Sequence, residues 1–343
     1  MSITSFLKNP FATSDRSVVP VSTSTVDTAN LPSDVRRMIK EHRYFQILEP
    51  AEGVTFDEES IAAARKAIES NMALVPAGNV WMIQQTAEEA VDGSLQINQK
   101  HSASEQVDAF YCDRLVVTNA DFERFVKSGG YTNAGLWPSE ILPTVLQFVD
   151  QTGKPGPKFW TDGSPDINLL DHPVVGVSWY EANAYATWIG KQLPSAGQWQ
   201  RTGTWGHSPD GSSEEATYPW GNTYDPTRVN LWGSGNHQTL PADSLPQGDT
   251  TNAIRQLVGN VWEWTSNAYV MSGVDGLQIE LRQPMAEIRG GAFDTYFRSQ
   301  ATCRFRTGRA LTARDHNIGF RCCRSIGQLT DSCDTEELSL IHI

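Results

Sequence analysis

The sequence predicts an α+β protein with an irregular β-rich second half and a short helical extension in front. Three observations carry that reading. Three capping signatures, each opening an amphipathic helix, fall between Thr118 and Trp199. Long helical periodicity then stops, and residues 204–325 read as short strands and loops punctuated by Gly, Pro and Trp. Ahead of all this, two apolar stripes at helical spacing lie within residues 33–71.

In chain order, residues 1–32 are rich in Ser, Thr, Pro and Asp and read as a flexible arm. Val35, Met38, Ile39 and His42 recur at i, i+3, i+4 and i+7 behind Ser33 as the expected cap, which gives a short helix. A second helix is expected from about Phe56 to Met72, with Ile61, Ala64 and Ile68 on one face. MALVPAGNVWMIQ then reads strand, turn, strand, with Pro76-Ala77-Gly78 as the turn. Val107 to Val117 reads as a strand. Thr118 with Asp121 opens a helix carrying Phe122, Phe125 and Val126, which Gly129-Gly130 end. Ser178 with Glu181 opens the next, with Ala182, Tyr185, Ala186 and Ile189 on one face and Gly190 as the stop. Ser195 with Gln198 opens the third, through Trp199. Domain organisation is therefore 1–32 arm, 33–71 helical extension, 72–325 main body and 326–343 tail. The closing LSLIHI, Leu338 to Ile343, reads as translated adapter sequence and is set aside from the fold.

Composition excludes some functions. A net charge of −13 and a pI near 5.0 argue against nucleic acid as a partner. No apolar run is long enough to span a membrane, and the N-terminus has no basic region followed by an apolar stretch, so a cytoplasmic chain is expected. The five cysteines, Cys112, Cys303, Cys322, Cys323 and Cys333, show no metal-ligand spacing and read as reduced thiols.

The stretch GNVWEW, Gly259 to Trp264, sets two indoles around a carboxylate just after a turn signal. Two readings stand for Glu263: a buried, hydrogen-bonded carboxylate between aromatic residues, or a hard-oxygen ligand of a cation.

The order LVPAGNVWM, VDAFYCDRLVVTNADFERFV, HPVVGVSWYEANAYATWIGKQLPSAGQWQRTG, YPWGN, VNLW, LVGNVWEWTSN, RGGAF, RFR and NIGFRC resembles the formylglycine-generating enzyme family, also called sulfatase-modifying factors, over about residues 72–325. The resemblance implies a compact C-type-lectin-like fold. It also implies a chemistry in which oxygen and copper, held by two cysteines, convert a sulfatase cysteine to formylglycine. Those two positions fall here on Thr295 and Thr302, with Cys303 as the one thiol in the loop, and Ala292 replaces the serine of the GGS motif. One thiolate does not make the pair that holds Cu(I), so copper chemistry is not expected. Iron is not expected either. Relatives that oxidise sulfur compounds carry an N-terminal histidine cluster, whereas the N-terminal region of this chain offers only His42 and, further on, His101.

By the same resemblance, a calcium site would use the side chains of Gln256 and Glu263 and the carbonyls of Leu257, Gly259 and Val261. A second would use Asn230 and Leu231, although the acidic partner expected near Ser234 to Asn236 is missing. Secreted members carry cysteines where Ala186 and Gly203 stand, so Cys322 keeps its place without that partner.

Three functions are weighed. The first is a family member without the thiol pair that binds a peptide, protein or small molecule in a groove of Trp262, Thr295, Tyr296, Thr302, Arg304 and Arg306. The plainer role for Arg304, Arg306 and Arg321 is to stitch loops to carboxylates. The second is an oxidoreductase of altered chemistry using Cys303 as nucleophile or single metal ligand, with its pKa lowered by Arg304; the plainer role is a buried, inert cysteine. The third is a hypervariable ligand-binding protein of the same fold.

Overall fold

A computed structural model describes residues 28–89, 95–207, 215–273, 278–279 and 281–326, with backbone alone described within 84–103 and 272–280. The arm up to residue 27, the tail beyond 326 and Cys333 lie outside the described residues.

The helical extension comprises α1 (Ser33–Lys40), α2 (Phe45–Leu48) and α3 (Glu58–Asn71). Ser33 is not the cap of α1. It is the first helical residue, preceded by Pro32, which offers no side-chain acceptor. Asp57 caps α3 by accepting from the Ser60 N–H at 2.8 Å. Val35, Tyr44, Phe45, Ile47, Ala64, Ala67 and Ile68 form a core of their own between these helices. The extension is fastened to the body through polar groups. Lys191 Nζ is fully buried and donates to the Tyr44 hydroxyl at 2.8 Å and to Asp113 Oδ1 at 2.5 Å. Gln46 donates to the Trp188 carbonyl at 2.8 Å.

The strands are β1 (Met72–Val75), β2 (Gly78–Glu89), β3 (Leu95–Val107), β4 (Phe110–Asp113), β5 (Trp262–Ala268), β6 (Met271–Gly273), β7 (Gln278–Ile279), β8 (Met285–Arg289), β9 (Arg306–Ala310), β10 (Ile318–Gly319) and β11 (Cys323–Ser325). They build three small sheets, ordered β1-β4-β11, β10-β5-β8-β9 and β3-β2-β6-β7. β1 and β2 flank the Pro76–Gly78 turn but do not pair with each other. β1 pairs with β4, and β2 with β3 and β6. The strand expected over 107–117 is divided: Val107 ends β3, β4 covers Phe110–Asp113, and the chain leaves the sheet after Arg114, whose N–H still donates to the Asn71 carbonyl.

Among the described residues, four α-helices complete the body: α4 (Asn119–Lys127), α5 (Leu142–Val145), α6 (Trp179–Trp188) and α7 (Ala196–Thr204). The capping boxes of α4, α6 and α7 close as the sequence predicts, at Thr118/Asp121, Ser178/Glu181 and Ser195/Gln198. The apolar faces of α4 and α6 meet in the largest core, where Phe122 stacks on Tyr185 at 5.5 Å and Phe125 meets Trp188 at 5.6 Å. Cys322 lies in this core together with Ala186. His172 bonds a loop, its Nδ1 lying 2.9 Å from Thr239 Oγ1.

Candidate functional site

The candidate site is the loop from Gly290 to Arg306 and the surface beside it. Gly290 and Gly291 sit at φ 100° and 77°, a region costly for residues with a Cβ. A Cβ on Gly290 would also fall 2.7 Å from the Leu257 carbonyl oxygen. This close approach locks the loop to the GNVWEW turn. The Gly259 N–H donates to the Gly290 carbonyl and the Phe293 N–H to the Asn260 carbonyl. Thr295 closes the first bend, its hydroxyl accepting from the Ala292 N–H at 2.8 Å. Thr302 closes the last, accepting from the Phe305 N–H at 3.1 Å. Thr295 and Thr302 therefore serve as turn formers.

Between these anchors the loop turns outward. Tyr296 and Phe297 are 72% and 62% exposed, with ring centroids 5.3 Å apart and nearly perpendicular planes. Trp232, 47% exposed, is tied to the same loop by its N–H to the Thr295 carbonyl, and its ring lies 4.3 Å from that of His237. On the other side the Arg298 guanidinium sits 4.3 Å over the Tyr224 ring. Tyr224 in turn meets Tyr218, which stacks on Trp220 at 5.2 Å.

The expected groove is corrected by this arrangement. Of its six residues, Tyr296 alone is exposed; Trp262 and Thr295 are buried, and Thr302, Arg304 and Arg306 are half-buried. Arg304 donates to the Glu215 carbonyl, and Arg306 Nη1 pairs with Glu287 Oε2 at 2.9 Å. Both arginines stitch loops, the plainer of their two expected roles. Phe297, Trp232 and Arg298 take their place on the surface, with the half-buried Tyr224 beneath the Arg298 guanidinium. For Phe297 and Arg298 the sequence signal was the run TYFR, residues 295–298; Tyr224 and Trp232 lie far from it in the chain and had none.

Cys303 is not placed as an accessible thiol. It is fully buried among Trp199, Leu257 and Ala301, and its sulfur fills the space a Cβ on Gly203 would take, 2.6 Å away. Burial pushes its pKa above the ordinary thiol value and Glu215 adds to that; Arg304 and Arg289 offset only part. The lowering expected from Arg304 is overridden because the thiolate would have to form in a dry apolar cluster.

The residues of the two calcium sites do not fit that ion. Glu263 Oε1 accepts from Arg321 Nη2 at 2.7 Å, while Oε2 accepts from Arg321 Nε at 2.8 Å and from Trp199 Nε1 at 2.9 Å. Both partners of the ion pair are fully buried. Burial works against the charge of Arg321, yet Glu263 holds its pKa above the ordinary value. The carboxylate therefore has a cation in bidentate contact already. Gln256 takes a left-handed backbone, φ 50°, that turns its amide inward. Its Oε1 accepts from Asn260 at 2.6 Å, and its nitrogen donates to the Pro241 and Ser244 carbonyls at 3.0 Å each. The Gly259 carbonyl accepts from the Val261 N–H, and the Leu257 carbonyl faces Gly290. At the second site Asn230 donates to Asn260 and the Gln238 carbonyl, and accepts from Asn236 at 3.0 Å. A neutral amide network and the Arg321 ion pair thus engage the side-chain oxygens of Gln256, Asn230 and Glu263 that calcium would need. Among the described residues no group of three or more His, Cys, Asp or Glu side chains converges as a metal site.

The fold and the Gly290 loop define a protein of the formylglycine-generating type whose loop carries one cysteine, Cys303. The sulfatase-modifying factor enzyme 1-like domain matches residues 58–326, and the chain belongs to that family. It is 30% identical over 253 residues to the inactive C-alpha-formylglycine-generating enzyme 2 of Mus musculus, covering 65% of this chain and 77% of that one. To the formylglycine-generating enzyme of Bos taurus it is 28% identical over 300 residues, 77% of each chain. Hercynine oxygenase of Mycobacterium tuberculosis matches at 32% over 183 residues, 50% of this chain and 40% of that one. Among solved structures, CarF superposes with a TM-score of 0.47 at 18% identity over 75% of this chain and 98% of its own.

Proposed function

We propose that this chain is a divergent family member that recognises a peptide segment of a protein partner. Recognition centres on Tyr296 and Phe297, with Trp232 beside the loop on one side and Arg298 over Tyr224 on the other. One observation carries the reading: two adjacent aromatic side chains stand 72% and 62% exposed on a loop otherwise pinned at both ends. Burying an aromatic ring on binding is worth about 1.5–3 kcal/mol, and aromatic and arginine side chains dominate binding energy at interfaces. A loop fixed by its own threonines presents them with little ordering cost. The absence of a second thiol in the loop and the burial of Cys303 support binding over oxidation chemistry. That one relative is named an inactive enzyme is in keeping with this.

The test is selection of random dodecapeptides displayed on phage against the full chain, with recovered peptides measured by calorimetry. Binding to the wild type that falls at least tenfold in Tyr296→Ala/Phe297→Ala supports the proposal. Peptides that bind the double variant equally well would place recognition elsewhere and overturn it.

A further inference from the structure

Cys112 and Cys323 lie directly opposite each other, at the centre of the β1-β4-β11 sheet. The hydrogen-bond pattern fixes which kind of pair they form. The Cys323 N–H and carbonyl both engage Gln192, at 2.8 and 3.0 Å, on the side away from β4. The neighbouring pair carries the bonding across the strands instead, Asp113 N–H donating to the Cys322 carbonyl at 2.9 Å. Cys112 and Cys323 are therefore a non-hydrogen-bonded pair, the register in which antiparallel Cα atoms approach to about 4.5 Å and side chains come closest. That separation lies inside the range a disulfide spans, about 4.4–6.8 Å.

The pleat places both sulfurs on one face. Both side chains belong to the core of Ala73, Val75, Val80, Phe110 and Ile254, whereas Cys322, one residue earlier, points to the opposite face and packs with Ala186. All four described cysteines are thiols in this structure. Cys112 and Cys323 are 1% and 0% exposed, so an oxidant reaches them before the sheet closes or when it opens.

We propose that Cys112 and Cys323 are a disulfide-forming pair that staples the last strand of the domain to an early one. The oxidant is a small disulfide such as glutathione disulfide. One cysteine thiolate attacks it, forming a mixed disulfide and releasing one glutathione thiolate. The second cysteine thiolate then displaces the remaining glutathione. The protein loses two hydrogens and two electrons, and two glutathione thiols carry them away. The bond closes a loop on the order of 200 residues. In the thiol state burial holds both side chains protonated, pushing Cys112 up to about 12. The folded thiols consequently exchange slowly, and the redox state is set while the sheet forms.

The full chain is refolded from urea in a buffer of reduced and oxidised glutathione, alkylated and digested with trypsin without reduction. The expected product links the peptide ending at Arg114 to the peptide Cys322–Arg324. The link persists in Cys322→Ala and disappears in Cys323→Ala. The oxidised wild type melts at a higher temperature than its reduced form, and that difference vanishes in Cys323→Ala. A link surviving in Cys323→Ala, a bond to Cys303 or Cys333 in its place, or an unlinked product that has regained native near-ultraviolet circular dichroism would each overturn the pairing. Cys112→Val keeps an apolar side chain at the site and separates loss of the bond from loss of packing.

Discussion

Glu263→Gln tests the reading of the GNVWEW turn most sharply. The substitution keeps size and shape but removes the charge that pairs with a fully buried guanidinium. In the wild type the carboxylate accepts three hydrogen bonds, two from Arg321 and one from Trp199. The introduced amide could still accept from Trp199 through its oxygen, but its nitrogen would face a cation that it cannot neutralise. Breaking a buried ion pair from one side costs about 3–5 kcal/mol, because the orphaned charge stays desolvated. Arg321 has few alternatives: its other bonds go to the Asp113, Arg114 and Arg255 carbonyls. With a urea slope of about 2 kcal/mol/M, the unfolding midpoint should fall by about 2 M. For a domain of ordinary stability, about 5–15 kcal/mol, that is a large share of the total. Adding Arg321→Met should recover part of the loss, since removing both charges removes the uncompensated one. Because the guanidinium is the cation here, wild-type stability should be the same in EDTA and in millimolar calcium. A loss below about 1 kcal/mol, or a calcium-dependent gain in melting temperature that Glu263→Gln abolishes, would refute the ion-pair account.

Incubated with copper, oxygen and a Cys-x-Pro-x-Arg peptide, the chain should leave the thiol intact by mass spectrometry; an aldehyde product formed equally by Cys303→Ser would contradict the proposed binding role. Ser178→Ala removes the acceptor of the Glu181 N–H at the start of α6 and should cost about 1 kcal/mol in urea unfolding; an unchanged midpoint would mean that the cap adds nothing. Burial opposes ionisation of Asp121, but His42, Arg124 and Thr118 outweigh it and hold its pKa below the ordinary 3.8. A depressed carboxylate stabilises the fold above its unfolded value, and that stability is lost as pH falls through the folded value. The melting-temperature gap between wild type and Asp121→Asn should therefore be full at about pH 5 and shrink below 3.8; a gap that is constant down to about pH 2 would exclude the linkage.

The three capping boxes and the faces of α4 and α6 were legible in the sequence because their partners stand three or four residues apart, where chain geometry alone brings side chains together. That the Gly290–Arg306 loop carries a single cysteine was legible too, since it needs only the order of the motifs. What Glu263 does was not. Its partner Arg321 lies 58 residues away on another segment, and a carboxylate between two indoles has the same sequence whether a guanidinium or a metal ion answers it. Cys303 misled for a related reason. Arg304 beside it in the chain suggested a lowered pKa, but the tertiary structure buries the sulfur against Gly203, and desolvation outweighs a neighbouring charge. The opposition of Cys112 and Cys323 depends on strand register, which the sequence leaves open until β4 and β11 pair. Local periodicity determined which elements form; burial and long-range register decided which side chains meet, because both are properties of the folded surface and not of neighbouring residues.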